Sequence, residues 1–176
     1  METIRNATPE DAAAIAEIYN DAVLNTTAIW NDHVSDAAGR AAWMAERQGA
    51  GYPVLVAIEG DTLMGYATYG PFRPHDGYRH SAELSIYVRS GLRGKGTGSR
   101  LLAALTGIAE DSGIRVLVGG IEAGNAASIA LHRRHGFAET GRLPQVGTKF
   151  GRWLDLVFMT RVLGGPEAQP SVPAAD

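Results

Sequence analysis

The segment Arg93-Gly94-Lys95-Gly96-Thr97-Gly98 constrains the chain more than any other. Ahead of it, residues 81–88 alternate polar and apolar side chains with the period of a strand; behind it, Leu101, Leu102, Leu105, Ile108 and Ala109 recur at helical spacing. A strand that turns through alternate glycines into a helix gathers backbone N–H groups and the positive end of the helix dipole at one point. The absent side chains let a phosphate come close. Arg93 and Lys95 add positive charge. The segment predicts a phosphate-bearing ligand.

Spacing narrows that ligand. A Walker A loop requires Gly, four residues, then Gly-Lys-Ser/Thr; counted from Gly91 the series reaches Gly96-Thr97, with no lysine in place. A dinucleotide loop, Gly-x-Gly-x-x-Gly, accepts Gly94 and Gly96 but meets Ser99 at its third glycine, although Glu122 stands where a ribose-binding acid belongs. Hairpin strands precede the loop where a dinucleotide fold opens with it, which weakens this reading without eliminating it. Arg93-x-x-Gly96-x-Gly98 matches a third pattern in full.

The remaining chain reads as alternating strands and helices. Residues 2–7 suggest a strand, and Thr8-Pro9-Glu10-Asp11 is a helix start with a cap, a proline at the first position and acids in the first turn. Ala12, Ile15, Ile18, Tyr19 and Ala22 give that helix one apolar face, with Glu17 and Asp21 read as solvated. Ser35-Asp36 caps a second helix carrying Ala41, Trp43 and Met44. Runs 52–59 and 63–69, joined by Gly60-Asp61, predict a hairpin; 114–121 and 153–162 read as strands, 126–135 as a helix, and 137–143 as a strand pairing with the last. Residues 164–176 lack periodicity and predict a disordered tail after a domain spanning 1–163.

Composition removes whole classes. Sixteen Lys and Arg against nineteen Asp and Glu leave a net charge of −3, so no global positive field exists to hold a nucleic acid or an anionic membrane. The absence of cysteine excludes disulfide frameworks, thiolate metal sites and Cys nucleophiles. No apolar run approaches the roughly 18 residues of a membrane span, and the first nine residues lack a secretory pattern. The expectation is a cytoplasmic protein with no metal, no nucleic-acid partner and no membrane partner.

Arg93, Gly96 and Gly98, together with Asn125-Ala126-Ala127-Ser128-Ile129-Ala130-Leu131-His132-Arg133-Arg134-His135-Gly136-Phe137, resemble two ordered motifs of the GCN5-related N-acetyltransferases (GNATs). His132 stands where many members carry a Tyr. Ala28-Ile29-Trp30-Asn31, Asp76-Gly77-Tyr78-Arg79, Glu83-Leu84-Ser85-Ile86-Tyr87-Val88 and Pro144-Gln145-Val146-Gly147-Thr148-Lys149-Phe150 are similar to the phosphinothricin and methionine sulfoximine N-acetyltransferase branch. Leu84 departs from the His usual there. The resemblance spans about residues 2 to 162. It implies an α/β (mixed α+β) fold, a mostly antiparallel twisted sheet of about seven strands flanked by about four helices.

The resemblance also implies roles. Acetyl-CoA would be held by Arg93, Gly94, Lys95, Gly96, Thr97, Gly98 and Ser99, by the main chain of Ile86, Tyr87 and Val88, and by Asn125 and Ser128. A main-chain N–H of residues 86–88 would support the oxyanion. An ammonium does not attack a thioester, so a base must take the amine's proton; Glu83 shares a strand face with Ser81, Ser85 and Tyr87 and is placed for that work. Burial would raise its pKa and an adjacent Arg would lower it. His132, Tyr87 or a water would return a proton to the thiolate. Trp30, Asn31, Arg73, Pro74, His75, Leu84, Ser85, Val146 and Lys149 are the expected substrate contacts beside Glu83, Arg73 as a clamp for an anionic group. His33, His80 and His135 read as surface or packing residues. Val146 to Phe150, in a loop before the last strand, would cross a homodimer interface. The substrate would be the amine of a small amino-acid-like molecule. An enzyme acetylating a protein terminus, a polyamine or an aminoglycoside stays open, as does a non-catalytic acyl-CoA-binding module.

Overall fold

Middle strands whose two faces are both apolar demand cover on both sides, and the chain supplies it with two pairs of helices. The computed structural model describes residues 1–164. Its strands are β1 (Thr3–Asn6), β2 (Val54–Glu59), β3 (Thr62–Pro71), β4 (Ser81–Val88), β5 (Val116–Glu122), β6 (Ala138–Lys149) and β7 (Arg152–Val162). Its helices are α1 (Ala12–Asn25), α2 (Ala37–Gly49), α3 (Thr97–Asp111) and α4 (Ala126–Arg134). The sheet order is β1-β2-β3-β4-β5-β7-β6, antiparallel except between β4 and β5. The mixed α/β class expected from the resemblance is the one found.

Period-two alternation sorts side chains between two cores. On one face Leu55, Ala57, Ala67, Ala82 and Leu84 pack under Leu101, Leu102 and Leu105 of α3. On the other, Val54, Val56 and Tyr66 pack under Ile15 and Ile18 of α1 and Met44 of α2. The hairpin at Gly60-Asp61 and the Asp36 cap form as expected, with Gly39 N–H donating to Asp36 Oδ1 at 2.7 Å. Thr8 and Asp11 make their capping box on a 3-10 turn, Pro9–Asp11, that leads into α1.

Two sequence expectations are corrected. The strand placed at 137–143 runs on to Lys149, so Val146 to Lys149 are strand residues rather than loop. Bulges after Glu139 and Leu143 break the ladder, and Gln145, at φ +53°, donates its N–H to Asp155 Oδ1 at 2.9 Å. An edge strand open on both faces carries no hydrophobic alternation to read. Glu17 and Asp21 are not merely solvated: Glu17 pairs with Arg89 at 2.9 Å and Asp21 lies 4.0 Å from Arg93. The expected tail, apart from Gly164, lies outside the described residues.

Two features position the site. Pairing of β4 with β5 stops at Leu84 opposite Gly119, while β4 stays on β3 as far as Val88 and β5 stays on β7 as far as Glu122. The two central strands therefore part. Glu2 braces the start of α3: it accepts from Arg100 Nε and Thr97 Oγ1, both at 2.6 Å, and the hydrogen bond from Arg100 holds its carboxyl below the usual carboxylate range. Arg100 also donates to Lys95 O at 3.2 Å, so the brace reaches into the glycine loop. No helix among the described residues is long and apolar enough to cross a membrane.

Candidate active site

The wedge between β4 and β5 opens into a cleft of about 760 Å³. Gly94 and Gly96 sit at φ +84° and +87°, the left-handed region that turns the chain from β4 into α3. Gly96 is the N-cap and has no side chain to cap with, so the N–H groups of Thr97, Gly98 and Ser99 have no acceptor inside the helix. The Thr97 hydroxyl is committed to Glu2, and the Ser99 hydroxyl lies 2.7 Å from His135 Nε2; what both present to the cleft is backbone. Arg93 lines the cleft, as do Arg134 and Arg152, which no motif singled out. Lys95 is exposed, its carbonyl held by Arg100. Asn125 and Ser128 line the cleft; the Asn125 carboxamide oxygen caps α4 by accepting from Ser128 N–H at 3.1 Å. A cleft of this volume, with open N–H groups at a helix start and three arginines around it, fits a ligand of coenzyme A size and charge. Residues 86–88, freed from β5, fit a strand-like partner such as the amides of the pantetheine arm.

On the α1–α2 face of the sheet stands Glu83. A Cβ on Gly120 of β5 would lie 3.0 Å from Glu83 Oε1, so the carboxyl occupies room that only a glycine leaves. Phe72 packs edge-on against Tyr78 and Phe158 at 5.9 and 6.5 Å between ring centres, walling this corner. Arg73 stacks 4.9 Å from the centre of the Phe72 ring. The Glu83 residue as a whole is exposed. Its carboxyl is nonetheless crowded, and this burial pushes its pKa above the ordinary carboxylate range against the opposing pull of Arg73.

His132 lies on the other face. It is buried at 3% exposure, edge-on to Phe137, with Nδ1 2.8 Å from Ser128 O. A carbonyl only accepts, so Nδ1 carries the proton and Nε2 holds a lone pair. Nε2 is buried without a partner among the described residues, 3.0 Å from where a Cβ on Gly119 would sit. Burial lowers the pKa of the ring, which is neutral. Adjacent glycines on β5 thus make room for Glu83 on one face and His132 on the other. Both glycines and His132, with Leu84, Ser85, Ile86 and Tyr87 of β4, line a narrow gap of about 70 Å³.

Trp30, Asn31 and Lys149 come together as a second group. The Trp30 ring fills the space of a Gly147 side chain, and its Nε1 donates to Thr27 O at 2.9 Å. Lys149, 4% exposed, donates to the Asn31 carbonyl and lies 3.4 Å from Asp32 Oδ1. Its ammonium ties β6 to the α1–α2 loop. Thr27 fastens the other end of that loop to Glu122 Oε2 at 3.1 Å. Pro74 and His75 are exposed in the β3–β4 loop, and Val146 is 51% exposed on β6. Among the described residues no group of His, Asp and Glu has the makings of a metal site.

Residues 4–158 match the acetyltransferase (GNAT) domain family. The chain is 55% identical over 157 residues to the L-amino acid N-acyltransferase MnaT of Escherichia coli K12, covering 89% of this chain and 91% of that protein. It is 52% identical over 169 residues to an L-methionine sulfoximine/L-methionine sulfone acetyltransferase of Pseudomonas paraeruginosa, covering 96% and 98%. The acetyltransferase yncA of Salmonella typhimurium, solved with its cofactor acetyl-CoA, superposes with a TM-score of 0.94 at 50% identity, over 98% of this chain and 99% of that one. With its glycine loop, parted central strands and full-length likeness to these proteins, the chain belongs to the GNAT family of acetyl-CoA-dependent N-acetyltransferases.

Proposed function

We propose that the protein moves an acetyl group from acetyl-CoA directly to the amino group of a small amino-acid-like substrate, of the phosphinothricin, methionine sulfoximine or methionine sulfone type, with Glu83 as general base. One observation carries this reading: the Glu83 carboxyl, raised in pKa and within the field of Arg73, stands against Gly120, a residue lining the gap that adjoins the large cleft. The named substrates of the two relatives support the substrate class.

Acetyl-CoA supplies an activated acetyl thioester. The loop N–H groups, with Arg93, Arg134 and Arg152, hold its phosphates; the main chain of Ile86, Tyr87 and Val88 aligns its arm. Glu83 takes the proton that the ammonium must lose before its nitrogen can attack, and the raised pKa keeps the carboxylate basic enough for the task. Arg73 holds an anionic group of the substrate. His132, with a lone pair at Nε2, holds a water that relays to the leaving thiolate, of solution pKa about 8.5, the proton that the nitrogen releases as the C–S bond breaks. The exposed Leu143, Val146, Phe150 and Trp153 form an apolar stretch along β6 and the start of β7 that suits a second copy of the chain. The reading includes a homodimer and a cytoplasmic location, the latter in keeping with the absence of cysteine.

Protein mixed with acetyl-CoA and each of phosphinothricin, methionine sulfoximine, methionine sulfone, spermidine and a short peptide is expected to release free CoA with the first three. Release confined to spermidine or the peptide overturns the substrate assignment. Sedimentation is expected at twice the 18.6 kDa chain mass, and Trp153→Asp is expected to shift it to the monomer; a monomeric wild type removes the dimer.

A further inference from the structure

We propose that Arg47 is a substrate-binding residue that holds the α-carboxylate of the acetyl acceptor, so that the enzyme selects α-amino acids over simple amines. Arg47 lies in the last turn of α2, on the same side of the sheet as Glu83. Its Nη1 occupies the space that a Cβ on Gly70 would fill. Gly70 is the residue directly opposite Glu83 in the β3–β4 ladder. Opposed residues of an antiparallel pair hold their Cβ positions about 5 Å apart on one face, which sets the guanidinium over the strand position facing Glu83, while the Glu83 carboxyl itself lies toward Gly120 on the far side of β4.

Arg47 has no partner that accounts for this position. Among the described residues no carboxylate lies within 4.0 Å of it and its side chain makes no hydrogen bond; besides Gly70 it meets the Trp43 ring, 5.8 Å from the ring centre. The other arginines of this region lie against aromatic rings, although the buried Arg40 leaves its Nε without a hydrogen-bond partner among the described residues. Arg40 is sandwiched at 4.4 and 4.1 Å over Tyr19 and Trp43, and Arg73 lies on Phe72 where Glu83 feels its charge. A half-buried guanidinium without an acid is unfavourable until an anion joins it, and its planar fork matches a carboxylate in bidentate geometry. In an α-amino acid the nitrogen and the carboxylate share one carbon. A nitrogen held at Glu83 therefore carries its carboxylate within reach of a guanidinium seated on Gly70. Arg73 is left for the second anionic or polar group, the phosphinate, sulfoximine or sulfone at the far end.

The inference rests on the amino-acid reading above and is tested by a comparison that separates the two. Steady-state rates are measured with methionine sulfone and with its decarboxylated analogue, 3-(methylsulfonyl)propylamine, for wild type, Arg47→Gln, Arg47→Lys and Gly70→Ala, alongside melting temperatures. Wild type is expected to prefer the amino acid. Arg47→Gln is expected to lower kcat/KM for the amino acid about ten- to a hundredfold, the range for a charged hydrogen bond, while leaving the amine and the KM for acetyl-CoA within about twofold. Gly70→Ala, whose methyl takes the guanidinium's place, reproduces the loss without removing the charge, and Arg47→Lys restores it in part. If both substrates slow together, or neither does, Arg47 has no such role even though the amino acid is a substrate. If wild type acetylates only the amine, the amino-acid reading falls and this inference with it.

Discussion

Glu83→Gln is expected to lower kcat by about 10²- to 10⁴-fold, the usual contribution of a positioned base, with little change in the KM for acetyl-CoA. The amide keeps the size that fits beside Gly120 and loses only the capacity to take a proton. Burial opposes ionisation of this carboxyl, so the neutral amide is not expected to reduce the melting temperature, and lost activity is separable from unfolding. The pH profile of the wild type adds a second reading. A base works only when deprotonated, so kcat/KM falls as pH drops through the raised Glu83 pKa, and the acid limb lies above the ordinary carboxylate range. Arg73 pulls that pKa down; Arg73→Gln is expected to move the limb to higher pH. Unchanged turnover in Glu83→Gln, monitored by free CoA, would remove Glu83 from the chemistry and favour a non-catalytic acyl-CoA-binding role.

The second large effect is expected at Gly65. A Cβ there would stand 2.6 Å from the Tyr87 carbonyl oxygen and 3.2 Å from Val88 Cα, with Leu101 Cδ1 at 3.4 Å closing the side. These are backbone atoms of β4, and they yield only if β3 and β4 are pushed apart. Overpacking of this kind costs about 1–3 kcal/mol. For a chain of this length each kcal/mol lowers Tm by about 2–4 °C. The same displacement moves residues 86–88, so Gly65→Ala is expected to raise the KM for acetyl-CoA as well as to lower Tm. Circular-dichroism melting and acetyl-CoA titration check both; a variant with wild-type values on both counts would show that β4 tolerates the shift.

Legibility differed between the two halves of the site for a physical reason. The cofactor side is built largely from contiguous sequence: alternate glycines, a helix start, and an Asn cap followed by its helix. Spacing along the chain therefore exposes it. Arg134 and Arg152 escaped because they reach the cleft from α4 and β7 and carry no local signature. On the amine side, Glu83 was visible from strand alternation, but the room it occupies is made by Gly120 and the wall beside it by Phe72 and Phe158, on other strands. Arg47 and Gly70 are separated by a helix end and a hairpin, and nothing in their local sequence relates them. Lys149 was expected at the substrate; its burial against the Asn31 carbonyl, which makes it an anchor for the loop, depends on how β6 folds back. The length of β6 was hidden because an edge strand exposed on both faces has no pattern of burial to impress on its sequence.

The sequence by itself determined the order of elements, the glycine loop and its helix start, the strand face that carries Glu83, and the resemblance that named the family. Each depends on periodicity or spacing within a few residues, where backbone geometry dictates which side chains share a face. Tertiary structure alone decided which influence wins on the Glu83 carboxyl, the placement of Glu83 and His132 against adjacent glycines on opposite faces of β5, and the seat of Arg47 on Gly70. Those outcomes turn on desolvation and on room between strands, which arise only when distant segments are packed together.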